Sequence, residues 1–186
     1  RPLTGSLLQI GCGHGEFLTK AMSKGLKVTG VEYSEQASKI AAAKVAPEGR
    51  VLSGDISQLL NSGEQFDYIV FTDVLEHVRN PRDFLNNIHT LLNPTGSLLI
   101  TVPSLDSFSA RVMKRKWTEF KIDRLWYFST NTLKRLLYSE NFKQLKTMPA
   151  KKTVNVHYIA KHFKENPVEP FTKTAKLIEK ILPESL

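Results

Sequence analysis

The chain alternates between two hydrophobic rhythms. Short, nearly continuous apolar runs occur at Ser6–Ile10 (SLLQI), Lys27–Glu32 (KVTGVE), Val51–Ser53, Phe66–Thr72 (FDYIVFT) and Ser97–Val102 (SLLITV). Their length and their β-branched and aromatic content predict strands buried on both faces. Between them the apolar residues fall three and four apart. Phe17, Leu18, Ala21 and Met22 mark one face of a helix over Glu16–Lys24, which Gly25 closes. Ser34 can cap a second helix from Glu35 to about Val45, and Pro47 stops the chain beyond it. Pro81 suits the first turn of a third helix running to Leu92, and Asn93-Pro94-Thr95-Gly96 reads as a turn.

Strands and helices thus alternate up to Pro103, which predicts an α/β, doubly wound, mostly parallel sheet covered by helices on both faces. Beyond Pro103 the rhythm is lost: residues 104–128 are polar, basic and aromatic. Ser129 or Thr130 can cap a helix through about Glu140 with Leu133, Leu136 and Leu137 turned inward, and Phe142–Met148 reads as a sixth strand. Residues 153–164 are read as a helix, with a strand as the alternative, and 172–182 as a short amphipathic helix ended by Pro183. A single domain over 1–186 is expected, with a ligand-binding core at 5–103 and the acceptor side and C-terminal segments at 104–186.

Charge adds one feature to this picture. Of the formal net charge of +8, residues 1–109 contribute nine Lys/Arg against eleven Asp/Glu, residues 110–166 fourteen against four, and residues 167–186 three of each. The basic excess belongs to one later segment. It is either a solvated face or a site for an anionic partner: a phosphorylated substrate, a nucleic acid or a membrane surface. No run reaches the length of a membrane span, and no signal-peptide pattern opens the chain. It begins at Arg1-Pro2, as a chain that continues upstream would. Cys12 is the only cysteine, so an internal disulfide and a cysteine-rich metal site are excluded, and a reducing, cytoplasmic setting fits.

The chemistry concentrates in QIGCGHGEF (9–17), where Gly11, Gly13 and Gly15 alternate between the first strand and the first helix. A dinucleotide fingerprint needs a third glycine three residues after the second, and Glu16 stands there. A carboxylate at that helix start would oppose a pyrophosphate. The spacing argues instead for a ligand without phosphates that carries a positive group. S-adenosylmethionine, with a sulfonium, an ammonium and one carboxylate, carries a net charge of about +1 near neutral pH. Glycines let the backbone approach its amino-acid moiety. Glu32, at the end of the second strand, can accept both ribose hydroxyls. Asp55, in LSGDIS, can reach the adenine amino group, and Asp73, after the fourth strand, lies near the reaction centre.

On the residues LLQIGCGHGEF (7–17), VTGVEYSEQA (28–37), LSGDIS (52–57), FDYIVFTDVLEHVRNP (66–81) and LLNPTGSLLITVP (91–103), the sequence resembles the class I, Rossmann-like S-adenosylmethionine-dependent methyltransferases. The resemblance covers about residues 5 to 148. It is closest to the small-molecule branch with an E-H pair after the fourth strand, to which LWYFSTNTLKRLLYSENF (125–142) is also similar. The resemblance implies that the turn Gly11, Cys12, Gly13 and Gly15 lines the methionine moiety, and that Glu32 binds ribose with Tyr33 beside the adenine. It further implies that Asp55 and Ile56 hold the adenine and that Thr72, Asp73 and Val74 pass the methionine end. Three departures stand out. Gln9 replaces a frequent acid. Arg124 replaces a frequent histidine before the L-W-Y-F stretch. The family's seventh strand, inserted beside the fifth, has no residues left for it after 182, nor have the helices that normally precede the first strand. The expectation is a core cut at one or both ends, its last antiparallel strand among what is cut, or a core whose mobile ends are left out.

Methyl transfer from a sulfonium is an in-line displacement, governed by alignment in a dry pocket. A hydroxyl acceptor also needs its proton removed. His77 is the first general-base candidate, since its ordinary pKa lies near neutrality, and Asp73 is a catalytic candidate beside it. Glu76 reads as a base, as a supporting partner behind the catalytic groups or as a carboxylate ligand of a hard cation, the last disfavoured for want of further oxygen ligands. Trp117, Arg124, Trp126 and Tyr127 are candidate acceptor contacts, shared between pocket and core. Arg111, Lys114, Arg115 and Lys116 could meet an anionic group on the acceptor. No metal site is expected. The leading expectation is O-methylation of a small molecule of saccharide, quinone or secondary-metabolite type. The alternatives are a nucleic-acid methyltransferase, against which TDVLEH lacks an Asn/Asp-Pro-Pro-aromatic motif, and a methyltransferase-like binding domain without turnover.

Overall fold

A computed structural model describes residues 4–143 and 145–150. The chain runs β1 (Ser6–Ile10), α1 (Glu16–Met22), β2 (Lys27–Glu32), α2 (Glu35–Val45), β3 (Arg50–Ser53), α3 (Ser57–Leu60), β4 (Phe66–Thr72), a 3-10 turn (Leu75–His77), α4 (Pro81–Leu91), β5 (Leu92–Thr101), α5 (Phe108–Met113), a second 3-10 turn (Lys114–Lys116) and α6 (Thr130–Ser139). The five strands form one sheet in the order β3-β2-β1-β4-β5, and every pairing is parallel. Strand order reverses at β1, so the crevice where ligands bind such sheets opens between the carboxyl ends of β1 and β4.

The apolar runs are continuous because both faces of the sheet are covered. Leu8 and Ile10 of β1 and Ile69 and Phe71 of β4 pack with Leu85, Ile88 and Leu91 of α4 and Leu137 of α6. The alternate residues, Leu7, Val28 and Val70, pack with Leu18 and Ala21 of α1 and Ala41 and Val45 of α2. Local chemistry starts the helices where they start. The Ser34 hydroxyl accepts from Ala37 N, and Asn80 Oδ1 accepts from Arg82 N at 3.2 Å with Pro81 in the first turn. Ser129 and Thr132 form a reciprocal capping box on α6.

Gly30 is a packing requirement within β2. A Cβ built there would lie 2.7 Å from Leu18 Cδ1 and 2.8 Å from Cys12 Sγ. Gly30→Ala therefore forces α1 and the turn before it away from the sheet. The expected cost is about 1–3 kcal/mol, read as a thermal midpoint lowered by roughly 3–10 °C. An unchanged midpoint would show that this contact yields freely.

Several expectations are corrected. The predicted turn at 93–96 lies within β5: Phe66 pairs with Leu92 and Tyr68 with Ser97, so the turn is looped out as a bulge, held by Asn93 Nδ2 donating to Asp67 Oδ1 at 2.7 Å. The described part of Phe142–Met148 is not a strand. Among the described residues β5 ends the sheet, and the described part of this segment does not pair with it. Helices α3 and α5 appear where no helix was expected. The predicted helices at 153–164 and 172–182 lie outside the described residues. Among the described residues no helix is long and apolar enough to cross a membrane.

Candidate active site

The carboxyl ends of the strands bring the predicted cofactor residues to one edge. The glycine turn leaves β1 with all three glycines at positive φ: 68° at Gly11, 55° at Gly13 and 83° at Gly15. Two of the three are closed in. A Cβ at Gly11 would meet Val74 Cγ2 at 2.9 Å, and one at Gly15 would meet the Ala41 backbone at 3.1 Å. At Gly13 nothing lies within 4 Å. The middle of the turn thus presents bare backbone to open space, the geometry a closely approaching ligand requires.

Glu32 anchors this turn. Its Oε2 accepts from Gly13 N at 2.8 Å and its Oε1 from Ser34 N at 3.0 Å. The carboxylate therefore ties the glycine turn to the exit of β2 and keeps lone pairs for further donors. Its backbone oxygen also accepts from Gly54 N at 2.9 Å, which brings the β3 exit alongside. Ser34 and Gly54 thus join the site although neither was expected there. Asp55 Oδ1 accepts from Ser57 N at 2.8 Å, and the Ser57 hydroxyl together with this N–H holds its carboxyl below the usual range. Tyr33 is exposed. Ile56 turns its side chain into the core, so only its backbone is left to face the site edge.

Cys12 contributes backbone to the turn and a packed side chain to the core. Burial, reinforced by Glu32, pushes its thiol up to about 11, so it is no thiolate nucleophile. Glu16 is exposed and bonded to Lys44 Nζ at 2.7 Å, which lowers its pKa. That pairing weakens the charge repulsion expected against a pyrophosphate. The case against a dinucleotide turn rests on glycine spacing.

After β4, Asp73 takes a left-handed conformation (φ 53°) and donates its N–H to Thr101 O at 2.9 Å. Aspartate tolerates that region better than bulky residues do. The following 3-10 turn is latched by residues 119–126. Leu125 N and Trp126 N donate to Glu76 O at 2.8 and 3.1 Å, and Trp126 Nε1 donates to Val78 O at 2.8 Å. His77 Nδ1 lies 2.8 Å from Asp123 O. A carbonyl can only accept, so Nδ1 carries the proton and Nε2 is the basic nitrogen of the neutral ring.

Burial sets Arg124 apart from the expected acceptor contacts and leaves Glu76 the supporting place among its expected readings. Both side chains are buried (2% and 4% exposed), with Arg124 Nε 3.4 Å from Glu76 Oε1. Arg124 Nη1 also bonds Glu119, to its carbonyl at 2.7 Å and its carboxylate at 2.5 Å. Burial raises the Glu76 carboxyl above the usual range, and Asp73 adds to this. In this arrangement neither is exposed to touch an acceptor; they hold the latch against the turn that carries His77. Trp117 is likewise buried, with Nε1 donating to Ser109 Oγ at 3.0 Å. Trp126 and Tyr127 remain partly accessible. No periodicity marks the 119–126 latch, and its partners are about 50 residues upstream.

A family model for a methyltransferase domain matches residues 1–147. The chain belongs to this methyltransferase family. Its fold is that of the class I, Rossmann-like S-adenosylmethionine-dependent methyltransferases. It superimposes with a TM-score of 0.61 on a Thermotoga maritima S-adenosylmethionine-dependent methyltransferase described as a possible histamine N-methyltransferase, at 26% identity over 75% of this chain and 65% of that one. A ubiquinone biosynthesis O-methyltransferase of Caulobacter sp. strain K31 is 37% identical over 99 residues, covering 50% of this chain and 39% of that protein. The mitochondrial ubiquinone biosynthesis O-methyltransferase of Schizosaccharomyces pombe is 36% identical over 105 residues, covering 53% and 38%. The methyltransferase domain described here thus spans well under half the length of these curated relatives.

Proposed function

We propose that the chain binds S-adenosylmethionine along the ends of β1, β2 and β3 and transfers its methyl group to a hydroxyl of a small molecule. The observation that carries this reading is the glycine turn, open at Gly13 and tied through Glu32 to the exits of β2 and β3. S-adenosylmethionine, once bound, supplies an electrophilic methyl on sulfonium. Gly11, Gly13 and Gly15 receive its methionine part, Glu32 its ribose hydroxyls, and Tyr33, Asp55 and the Ile56 backbone its adenine. Asp73 and Val74 border the reacting end. His77 Nε2 removes the acceptor's proton. Its tautomer is held by Asp123 O, and the buried Glu76–Arg124 pair positions the loop that supplies that carbonyl. The naming of relatives that match half of this chain as ubiquinone biosynthesis O-methyltransferases supports a hydroxyl on a quinone- or phenol-type acceptor.

Calorimetric titration with S-adenosylhomocysteine, with NADH as control, tests the cofactor reading. Micromolar binding of the first and none of the second is expected; the reverse would overturn it. His77→Gln tests the base. With a hydroxyl acceptor kcat should fall by about 100- to 10,000-fold while S-adenosylhomocysteine affinity stays unchanged. Full turnover in this variant would remove His77 from the mechanism.

A further inference from the structure

The segment 104–128 combines two properties that the methyl-transfer reading does not use. It concentrates exposed apolar side chains: Leu105, Phe108, Phe120, Ile122, Leu125 and Trp126, with Ile122 fully exposed. It also exposes Arg111, Lys114, Arg115, Lys116 and Lys121, against Asp106 and Asp123 as exposed acids. Phe108 and Arg111 stand three apart on α5, which places an apolar and a cationic side chain on the same side of that helix.

These groups are carried by an ordered scaffold. Trp117, Phe120 and Tyr127 stack edge to face with centroids 5.3 and 5.1 Å apart. The Tyr127 hydroxyl accepts from Lys121 N and donates to Lys121 O, both at 3.0 Å. Arg124 is buried on Glu119 and Glu76, directly beside exposed Ile122 and Leu125. The loop is therefore pinned from below while its aliphatic tips stay in water.

We infer that segment 104–128 is a docking surface for an anionic lipid bilayer. The cations complement acidic headgroups, and the aliphatic and aromatic tips enter the boundary between headgroups and acyl chains. Aliphatic tips separate this from nucleic acid, whose bases stack on aromatic faces and gain little from isoleucine or leucine. The surface adjoins the latch over the His77 turn, so docking would bring the candidate acceptor side to the membrane. The inference does not depend on methyl transfer.

The test is co-sedimentation of the 186-residue chain with vesicles of phosphatidylcholine alone or mixed with phosphatidylglycerol. Binding is expected to the mixed vesicles, weakened by salt, and not to the neutral ones. Phe108→Ser with Ile122→Ser, which leaves the charge unchanged, should reduce binding to the mixed vesicles about tenfold or more. Arg111→Gln, Lys114→Gln and Arg115→Gln together should reduce it by about 100-fold. Far-UV circular dichroism and S-adenosylhomocysteine titration check that each variant is folded and tell a failed surface from a failed cofactor site. Absence of binding to mixed vesicles overturns the inference. So does binding that the Phe108/Ile122 variant leaves intact, and so does tight RNA binding that survives in that variant while vesicles are ignored.

Discussion

Glu32→Ala is expected to weaken S-adenosylhomocysteine binding by about 100-fold or more, as measured by calorimetry. In the free protein the carboxylate holds Gly13 N and Ser34 N at 2.8 and 3.0 Å. A carboxylate has about four acceptor sites, so two remain for ribose hydroxyls. Hydrogen bonds to a charged group contribute about 1.5–3 kcal/mol each. Losing two of them amounts to about 3–6 kcal/mol, and the glycine turn loses its tie to β2 in addition. Glu32→Gln keeps one acceptor oxygen, and its affinity should fall between those of wild type and alanine. Wild-type affinity in Glu32→Ala would place the ribose elsewhere.

Arg124→Met is expected to cost about 3–5 kcal/mol at neutral pH, because it leaves Glu76 buried without its counter-charge. For a chain of this length the thermal midpoint should fall by roughly 6–20 °C. The pH dependence follows from the direction of the Glu76 shift. Burial raises this carboxyl, and Arg124 opposes the rise. In the methionine variant the folded-state pKa climbs further above the unfolded value of about 4.3. Below the folded-state pKa that Glu76 has in wild type, the carboxyl is protonated in both folded proteins and the added penalty vanishes. The penalty grows as pH rises through that value and levels off above the higher folded-state pKa of the variant. The difference from wild type should therefore be small in acid and largest at neutral pH and above. Adding Glu76→Gln should recover part of it. A loss equal at every pH would show that Arg124 acts through packing and its bonds to Glu119, and not through the charge of Glu76.

The sheet was legible from local pattern. Strands buried on two faces must be apolar throughout, and FDYIVFT and SLLITV carry that requirement in their composition. The element ends were legible wherever a cap or breaker marks them, as at Ser34, Asn80-Pro81 and Ser129. The placing of the 93–96 turn inside β5 and the described part of 142–148 were not, because β-pairing depends on a neighbour that the segment itself does not encode. In the site, the alternating glycines and an acid at the end of β2 were readable because a parallel sheet brings successive strand ends to one edge. Glu76 and Arg124 carry no such signal. As sequence, each is a charge beside plausible catalytic or acceptor residues; in space, each is the buried partner of the other.

The sequence by itself determined the layered α/β architecture, the glycine turn and the acidic residue that answers it, since these rest on periodicity, turn chemistry and the succession of strands and helices along the chain. Only the tertiary structure decided which charges face solvent. It buried Arg124 against Glu76, fixed the His77 tautomer on Asp123 O and left Ile122 in water. Arg124 bonds Glu119 five residues away, but its ion pair with Glu76 and the backbone bonds of the latch join residues nearly 50 positions apart, which no local pattern records.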